Sequence, residues 1–288
     1  MNPESINPEL RRRIATRRRA SGLMRLLRIP YDWMAFYLSL VVLGVCCLSW
    51  CSVAFVLRRF VSRARGHVIG RRAISMVFRW FFKFTAARGV RRVEFDAIAA
   101  IDQSEALIIA PNHPSVLDAL LLVSRLDHLN CIMKASILDN IFLGAGARLA
   151  GYIRNDGPRR MLRLAASDLR RGGQVIIFPE GTRTVEAPVN EFKGGFAAIA
   201  RNALVPVQTV LIETNTPYLG KGWPVLKKPP VFPMVFRARL GQRFEVKADT
   251  DAAAFAHMLR AYFGRELADA ELGDLQPRGA GSERHSYG

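Results

Sequence analysis

Three patterns follow one another along the chain. The first 32 residues alternate arginine clusters with short apolar stretches, and from Trp33 to Leu57 there are then 25 consecutive residues without a charge. As a helix rising about 1.5 Å per residue, that run reaches roughly 37 Å, enough for a hydrocarbon core of about 30 Å. Residues 58–92 mix basic and aromatic positions. Within 72–84 the polar residues Arg72, Ser75, Arg79 and Lys83 recur at spacings of three and four among Ile74, Met76, Phe78, Trp80, Phe81 and Phe82. This spacing predicts a helix with one basic stripe, suited to a headgroup layer or to a solvated core edge. From 93 to 268 short apolar runs alternate with helical periods. Strands are predicted at 93–95, 106–110, 130–134, 174–178, 207–212 and 234–240. Helices are predicted at 116–126, 137–149, 158–171, 196–202 and 251–267. Alternation of this kind predicts an α/β domain with a layered, mostly parallel sheet and flanking helices, preceded by the membrane-inserted helical segment. Residues 269–288 are small and polar and predict a flexible tail.

Charge sharpens the division. The chain carries 42 Lys/Arg against 24 Asp/Glu, and residues 1–92 alone hold 19 against 3. The basic surplus belongs to the N-terminal third and implies an anionic partner surface. A nucleic-acid groove would interleave aromatic and basic residues; here the charges flank an uncharged run, which favours anionic lipid. Half of the residues are apolar, which excludes a disordered chain. Arginines on both sides of 33–57 oppose a simple crossing, because positive charge marks the cytoplasmic side. Gly44 divides the run into halves of 11 and 13 residues, so a re-entrant hairpin turning there is one expectation and a single tilted span the other. Cys46, Cys47, Cys51 and Cys131 lack metal-ligand spacing and read as small buried hydrophobes in a reducing compartment. No metal site is expected, since the histidines other than His113 stand singly.

Candidate chemistry sits at two predicted strand exits. In Ala110-Pro111-Asn112-His113-Pro114-Ser115-Val116-Leu117-Asp118, a helix holding both His113 and Asp118 would set them about 140° apart. With His113 in the turn and the helix starting near Ser115, the Asp118 carboxylate reaches back to the imidazole. It then fixes the tautomer and leaves the second ring nitrogen to take a proton from a hydroxyl. A capping box between Ser115 and Asp118 is the alternative. The second exit is Phe178-Pro179-Glu180-Gly181-Thr182-Arg183, where a glycine turn can offer amides, a hydroxyl and a guanidinium to an oxyanion. A local Glu180–Arg183 ion pair is the alternative there.

Together, the Asn-His-x-x-x-x-Asp block and the Phe-Pro-Glu-Gly-Thr-Arg block resemble the glycerophosphate/lysophospholipid acyltransferase family, 1-acylglycerol-3-phosphate acyltransferases included, over about residues 90–245. The resemblance implies transfer of an acyl chain from a coenzyme A or acyl-carrier-protein thioester to a lysophospholipid hydroxyl, in phospholipid biosynthesis and with no other cofactor. By the same analogy His113 is the general base, Asp118 orients it, and Glu180, Gly181, Thr182 and Arg183 hold the acceptor head group. Lys193 and Arg154 are further anion contacts on this reading. It also implies a membrane location, in a bacterium the inner membrane with the catalytic domain cytoplasmic. The chain departs from the family pattern twice: Gly157 stands six residues after Gly151 where an arginine is usual, and Thr209 replaces a second proline after Pro206. An acceptor without a phosphate (an amino-acid lipid or glycolipid) and a non-enzymatic membrane tether are the alternatives to a lysophosphatidic-acid-like acceptor.

Overall fold

The computed structural model describes residues 8–268 except 141–143, with side chains from Arg28 onward. The tail expected at 269–288 and the side chains of the first arginine clusters lie outside the described residues. Seven strands form one sheet in the order β1-β7-β6-β2-β5-β3-β4. They are β1 (Arg91–Glu94), β2 (Leu107–Pro111), β3 (Leu129–Lys134), β4 (Ile153–Asn155), β5 (Gln174–Ile176), β6 (Val207–Thr214) and β7 (Met234–Phe244). Neighbours from β6 to β4 run parallel, β7 turns antiparallel to β6, and β1 runs parallel to β7. The expected mostly parallel α/β sheet is therefore present. Strand β4 and a 3-10 turn at Asp96–Ala100 were not foreseen in the hydrophobic pattern, being too short to carry a period.

Alternate strand residues feed opposite layers, as the pleat requires. On one face Ile109, Ile176, Val210 and Ile212 pack with Phe36, Phe81, Phe95, Leu121 and Tyr218. On the other face Ile108, Val175, Ile177 and Leu211 pack with Leu169, Phe196, Leu259 and Phe263. The first layer holds α1 (Pro8–Leu57), α2 (Arg63–Ala87), α3 (Leu117–Val123) and, after the short α4 (Ala135–Asp139), α5 (Gly144–Leu149). The second holds α6 (Pro158–Leu169), α7 (Gly195–Ala203) and α8 (Ala252–Ala268). The single helix expected at 137–149 is thus two short ones.

Helix α1 corrects the hairpin expectation. It runs unbroken through Gly44, whose missing side chain faces open space. A glycine inside a helix costs only about 1 kcal/mol relative to alanine, too little to force a turn among strong apolar neighbours. Arg28–Leu57 is long and apolar enough to cross a membrane, yet part of it is fastened to the domain. Ala35, Phe36, Ser39, Cys51 and Ala54 are buried, and Trp50 lies against Gly146 of α5. The opposite side exposes Met34, Val41, Val45, Leu48, Val53 and Val56.

Helix α2 divides its polar residues differently from the single stripe expected. Ser75 is buried and donates to Asp127 Oδ1 at 2.7 Å, where Arg79 Nη2 also donates at 2.6 Å. Arg71, one turn earlier, donates to the carbonyls of Ala150 and His128 and pairs with Asp168 at 3.4 Å. These groups bolt α2 to the domain. The outward stripe is instead Arg65, Val68, Ile69, Arg72, Met76, Trp80 and Lys83, a mixture of basic and apolar residues.

Candidate active site

Strands β2 and β5 are hydrogen-bonded neighbours, with Ile109 opposite Ile176. The two motifs, about sixty residues apart in sequence, therefore leave the sheet side by side at its carboxyl edge. Asn112 finishes β2 by acting as one more rung of the sheet: its Nδ2 donates to Ile212 O at 2.9 Å, and its Oδ1 accepts from Ile212 N at 2.7 Å. That pair clamps β6 to the residue preceding His113.

His113 lies in the turn before α3, and Asp118 in its first turn. Nδ1–H of His113 donates to Asp118 Oδ2 at 3.2 Å, and the same oxygen accepts from Ser115 N at 2.7 Å. The dyad and the capping contact, posed as alternatives in the sequence, coexist on one carboxylate oxygen. The imidazole keeps 16 % of its surface accessible while Asp118 is fully enclosed. Phe178 stacks on the imidazole with ring centroids 3.7 Å apart and planes 20° apart. The stack fixes the ring plane, and its π face would stabilise the imidazole in its cationic form. Burial pushes the Asp118 carboxyl up from the ordinary aspartate range, against the opposing pull of the His113 hydrogen bond.

Glu180 departs from its expected role. It is 1 % exposed, and its Oε1 accepts from His113 N at 2.9 Å and from Thr184 Oγ1 at 2.8 Å, while Oε2 accepts from Asn190 N at 2.9 Å. Its carboxylate is occupied inside the protein, as a brace joining the two motifs behind the histidine. Arg183 does not pair with it. Nη1 of Arg183 donates to the carbonyls of Leu219 and Gly220 at 3.0 and 2.8 Å, on the connection between β6 and β7.

Gly181 has φ +66°, a left-handed conformation that favours glycine, and Lys193 lies along it: a Cβ there would approach Lys193 Cδ to 3.0 Å. Thr182 is exposed on the same turn. Gly181, Thr182, Arg183 and Lys193 are thus brought together near His113. Arg154 is not among them. It sits on β4, at the far edge of the sheet, where Asp139 takes two of its nitrogens at 2.5 and 2.7 Å and Asp156 takes Nε at 2.7 Å. Gly157 begins α6 beside open space, and neighbouring Arg160 is paired with Asp156. Thr209, in place of the expected proline, donates to Gln242 O at 2.7 Å and secures the β6–β7 irregularity between Gln208 and Val210.

Sequence reasoning missed Phe178 as a ring partner and the whole β6–β7 connection. Ser115 Oγ donates to Tyr218 O at 3.0 Å, and Val116 N to Leu219 O at 3.2 Å, so that connection packs directly against the histidine turn. Only the aromatic residue opening the second motif carried a signal that could have been read.

Residues 92–213, which contain both motifs, match the family model described as Acyltransferase. The chain is 31 % identical over 121 residues to a Mycoplasma pneumoniae protein named "Probable 1-acyl-sn-glycerol-3-phosphate acyltransferase", covering 38 % of this chain and 44 % of that one. It is 29 % identical over 122 residues to the 1-acyl-sn-glycerol-3-phosphate acyltransferase of Pseudomonas aeruginosa, covering 40 % and 48 %. The matched stretch spans less than half the length of each of these relatives. The crystal structure of the 1-acyl-sn-glycerophosphate (LPA) acyltransferase from Thermotoga maritima superposes with a TM-score of 0.60 at 19 % identity, over 86 % of this chain and 99 % of that one. At that identity the likeness speaks for the fold alone.

Proposed function

We propose that this protein is a membrane-bound O-acyltransferase that moves a fatty acyl chain from a thioester of coenzyme A or acyl carrier protein to the hydroxyl of a lysophosphatidic-acid-like lysophospholipid. The observation that carries this reading is the His113–Asp118 contact at 3.2 Å, inside the region that matches the Acyltransferase family model. With Asp118 on Nδ1, the proton of His113 is held there and Nε2 presents a lone pair. Nε2 takes the proton of the acceptor hydroxyl as its oxygen attacks the thioester carbonyl. A C–O bond forms, the C–S bond breaks, and the proton passes from Nε2 to the departing thiolate. The protein needs no nucleophile of its own, and no acyl-enzyme forms. Thr182, Lys193 and the remaining donors of Arg183 are the groups available to the acceptor phosphate.

A second reading, an acceptor without a phosphate, is favoured by two observations: Arg183 already spends Nη1 on two carbonyls, and Gly157 supplies no charge. Arg183→Lys separates the two. Lysine keeps the charge but loses the planar fork. The apparent KM for lysophosphatidate should rise several-fold, with a much smaller change for the acyl donor. A wild-type preference for a hydroxyl lipid lacking phosphate would overturn the phosphate reading.

Attachment follows from α1 and α2. With one side of α1 on the domain and the other apolar, the helix lies along one leaflet beside the domain instead of carrying it across the bilayer. Both basic flanks then face the cytoplasm, and the bacterial inner membrane is the proposed site. Single cysteines at Ser5 and Ser62, in a variant lacking the native ones, should both escape an impermeant thiol reagent in intact cells. Labelling at Ser5 alone would establish a crossing.

A further inference from the structure

We propose that the connection between β6 and β7, residues 215–233, is a second membrane contact that seats on an anionic lipid bilayer beside α1. The inference rests on the membrane-enzyme reading above and adds to it a surface outside the N-terminal helices. Across those residues the sequence holds Lys221, Lys227 and Lys228 and no acidic residue. Val225, Leu226 and Val231 are 56 %, 70 % and 41 % exposed, although they follow one another within a short excursion from the sheet. Large apolar side chains at a tip ringed by lysines suit the boundary between headgroups and acyl chains: the aliphatic groups leave water, and each ammonium reaches back to a phosphate.

The position of this tip argues for a bilayer over a soluble partner. Tyr37 Oη on α1 donates to Leu226 O at 3.2 Å, and Lys228 Nζ lies 4.6 Å from the ring centroid of Trp33. Phe36 meets Tyr218 and Phe232 edge-on at 5.4 and 6.0 Å. The exposed apolar tip is therefore continuous with the exposed Trp33, Met34, Leu38 and Val41 of α1, the segment with the length and composition of a membrane helix. A surface that immerses α1 reaches residues 225–231 as well.

The other end of the same connection touches the catalytic turn. Ser115 and Val116 donate to Tyr218 and Leu219, and Arg183 donates to Leu219 and Gly220. One short segment thus joins the lipid surface to the backbone around His113, and its seating sets the acceptor entrance.

The test uses the full chain with the native cysteines replaced, carrying an environment-sensitive fluorophore at Leu226→Cys and reconstituted in vesicles. Reference probes sit at Val41→Cys on α1 and at Leu204→Cys, which is 63 % exposed at the end of α7. Emission at position 226 should shift to the blue, more strongly with phosphatidylglycerol present than with phosphatidylcholine alone, while position 204 stays unshifted. No shift at 226 overturns the proposal whatever position 41 does. Position 41 decides separately whether α1 is immersed, so a failure of the membrane reading shows on its own. Equal shifts in the two vesicle compositions overturn the charge assignment. Leu226→Asp, made with the native cysteines in place, provides a second measurement. The apparent KM for an acceptor embedded in vesicles should rise several-fold, with that for a short-chain, water-soluble acceptor unchanged. An equal effect on both acceptors overturns the proposal.

Discussion

His113→Ala should reduce acyl transfer by about 10²–10⁴-fold, the usual cost of losing a general base, while the protein stays folded and membrane-bound. Among the described residues the imidazole bonds only to Asp118 and stacks only on Phe178, and the main-chain contacts of His113 to Glu180 and Thr184 do not depend on its side chain. Circular dichroism and membrane fractionation check the fold, and initial rates with a thioester and lysophosphatidate check the chemistry. Near-normal turnover by the alanine variant would remove the mechanism altogether.

Asp118→Asn should lose activity to a comparable extent, about 10²–10⁴-fold, for a different reason and with an opposite effect on stability. Ser115 N and His113 Nδ1 share one oxygen of Asp118, so asparagine presents either its oxygen or its amide to both; turned by its amide, it donates to Nδ1 and leaves Ser115 N without an acceptor. That contact moves the imidazole proton to Nε2, where the lone pair is needed. Burial meanwhile raises the Asp118 carboxyl above its unfolded value of about 3.9. A carboxyl raised on folding contributes most to stability while protonated, below the unfolded value, and that contribution is lost as pH rises through the folded value. The neutral amide has no such loss. Thermal unfolding should therefore show the variant gaining on wild type as pH rises above about 4. A variant that falls further behind as pH rises would show that the His113 contact outweighs burial.

The fold was legible where periodicity was strong. Six of the strands and the helices at 158–171, 196–202 and 251–267 follow from apolar runs and their spacing, and the structure places them within a few residues of those bounds. The dyad was equally legible, because a separation of five residues across a turn and a helix start leaves one way for the groups to meet. What stayed hidden depends on partners distant in sequence. Arg183 bonds to residues 36 and 37 positions away, and Ser75 meets Asp127 52 positions away. Glu180 looks like a ligand group in a glycine turn until His113 N and Asn190 N are brought to it by adjacent strands. In α1, Gly44 suggested a turn because composition does not tell which side of a helix a domain covers. The contacts of Phe36 and Trp50 with residues far along the chain settle that, and local pattern cannot.

The reversal of direction at β7 has a consequence for how such a protein can diversify. Because β7 runs back against β6, the chain between them starts and ends at the catalytic edge of the sheet, and no helix must be threaded to join them. Lengthening that excursion at its exposed tip, around Val225 and Leu226, leaves Tyr218 in its core layer and disturbs neither the β2–β5 register nor the contacts of Ser115 and Val116. Each doubling of a flexible loop adds only about 0.6 kcal/mol of closure cost. On the proposed function, insertions and deletions at residues 221–228 would change acceptor preference while the His113–Asp118 contact stays fixed, so related chains sharing both motifs would diverge in the lipids they acylate.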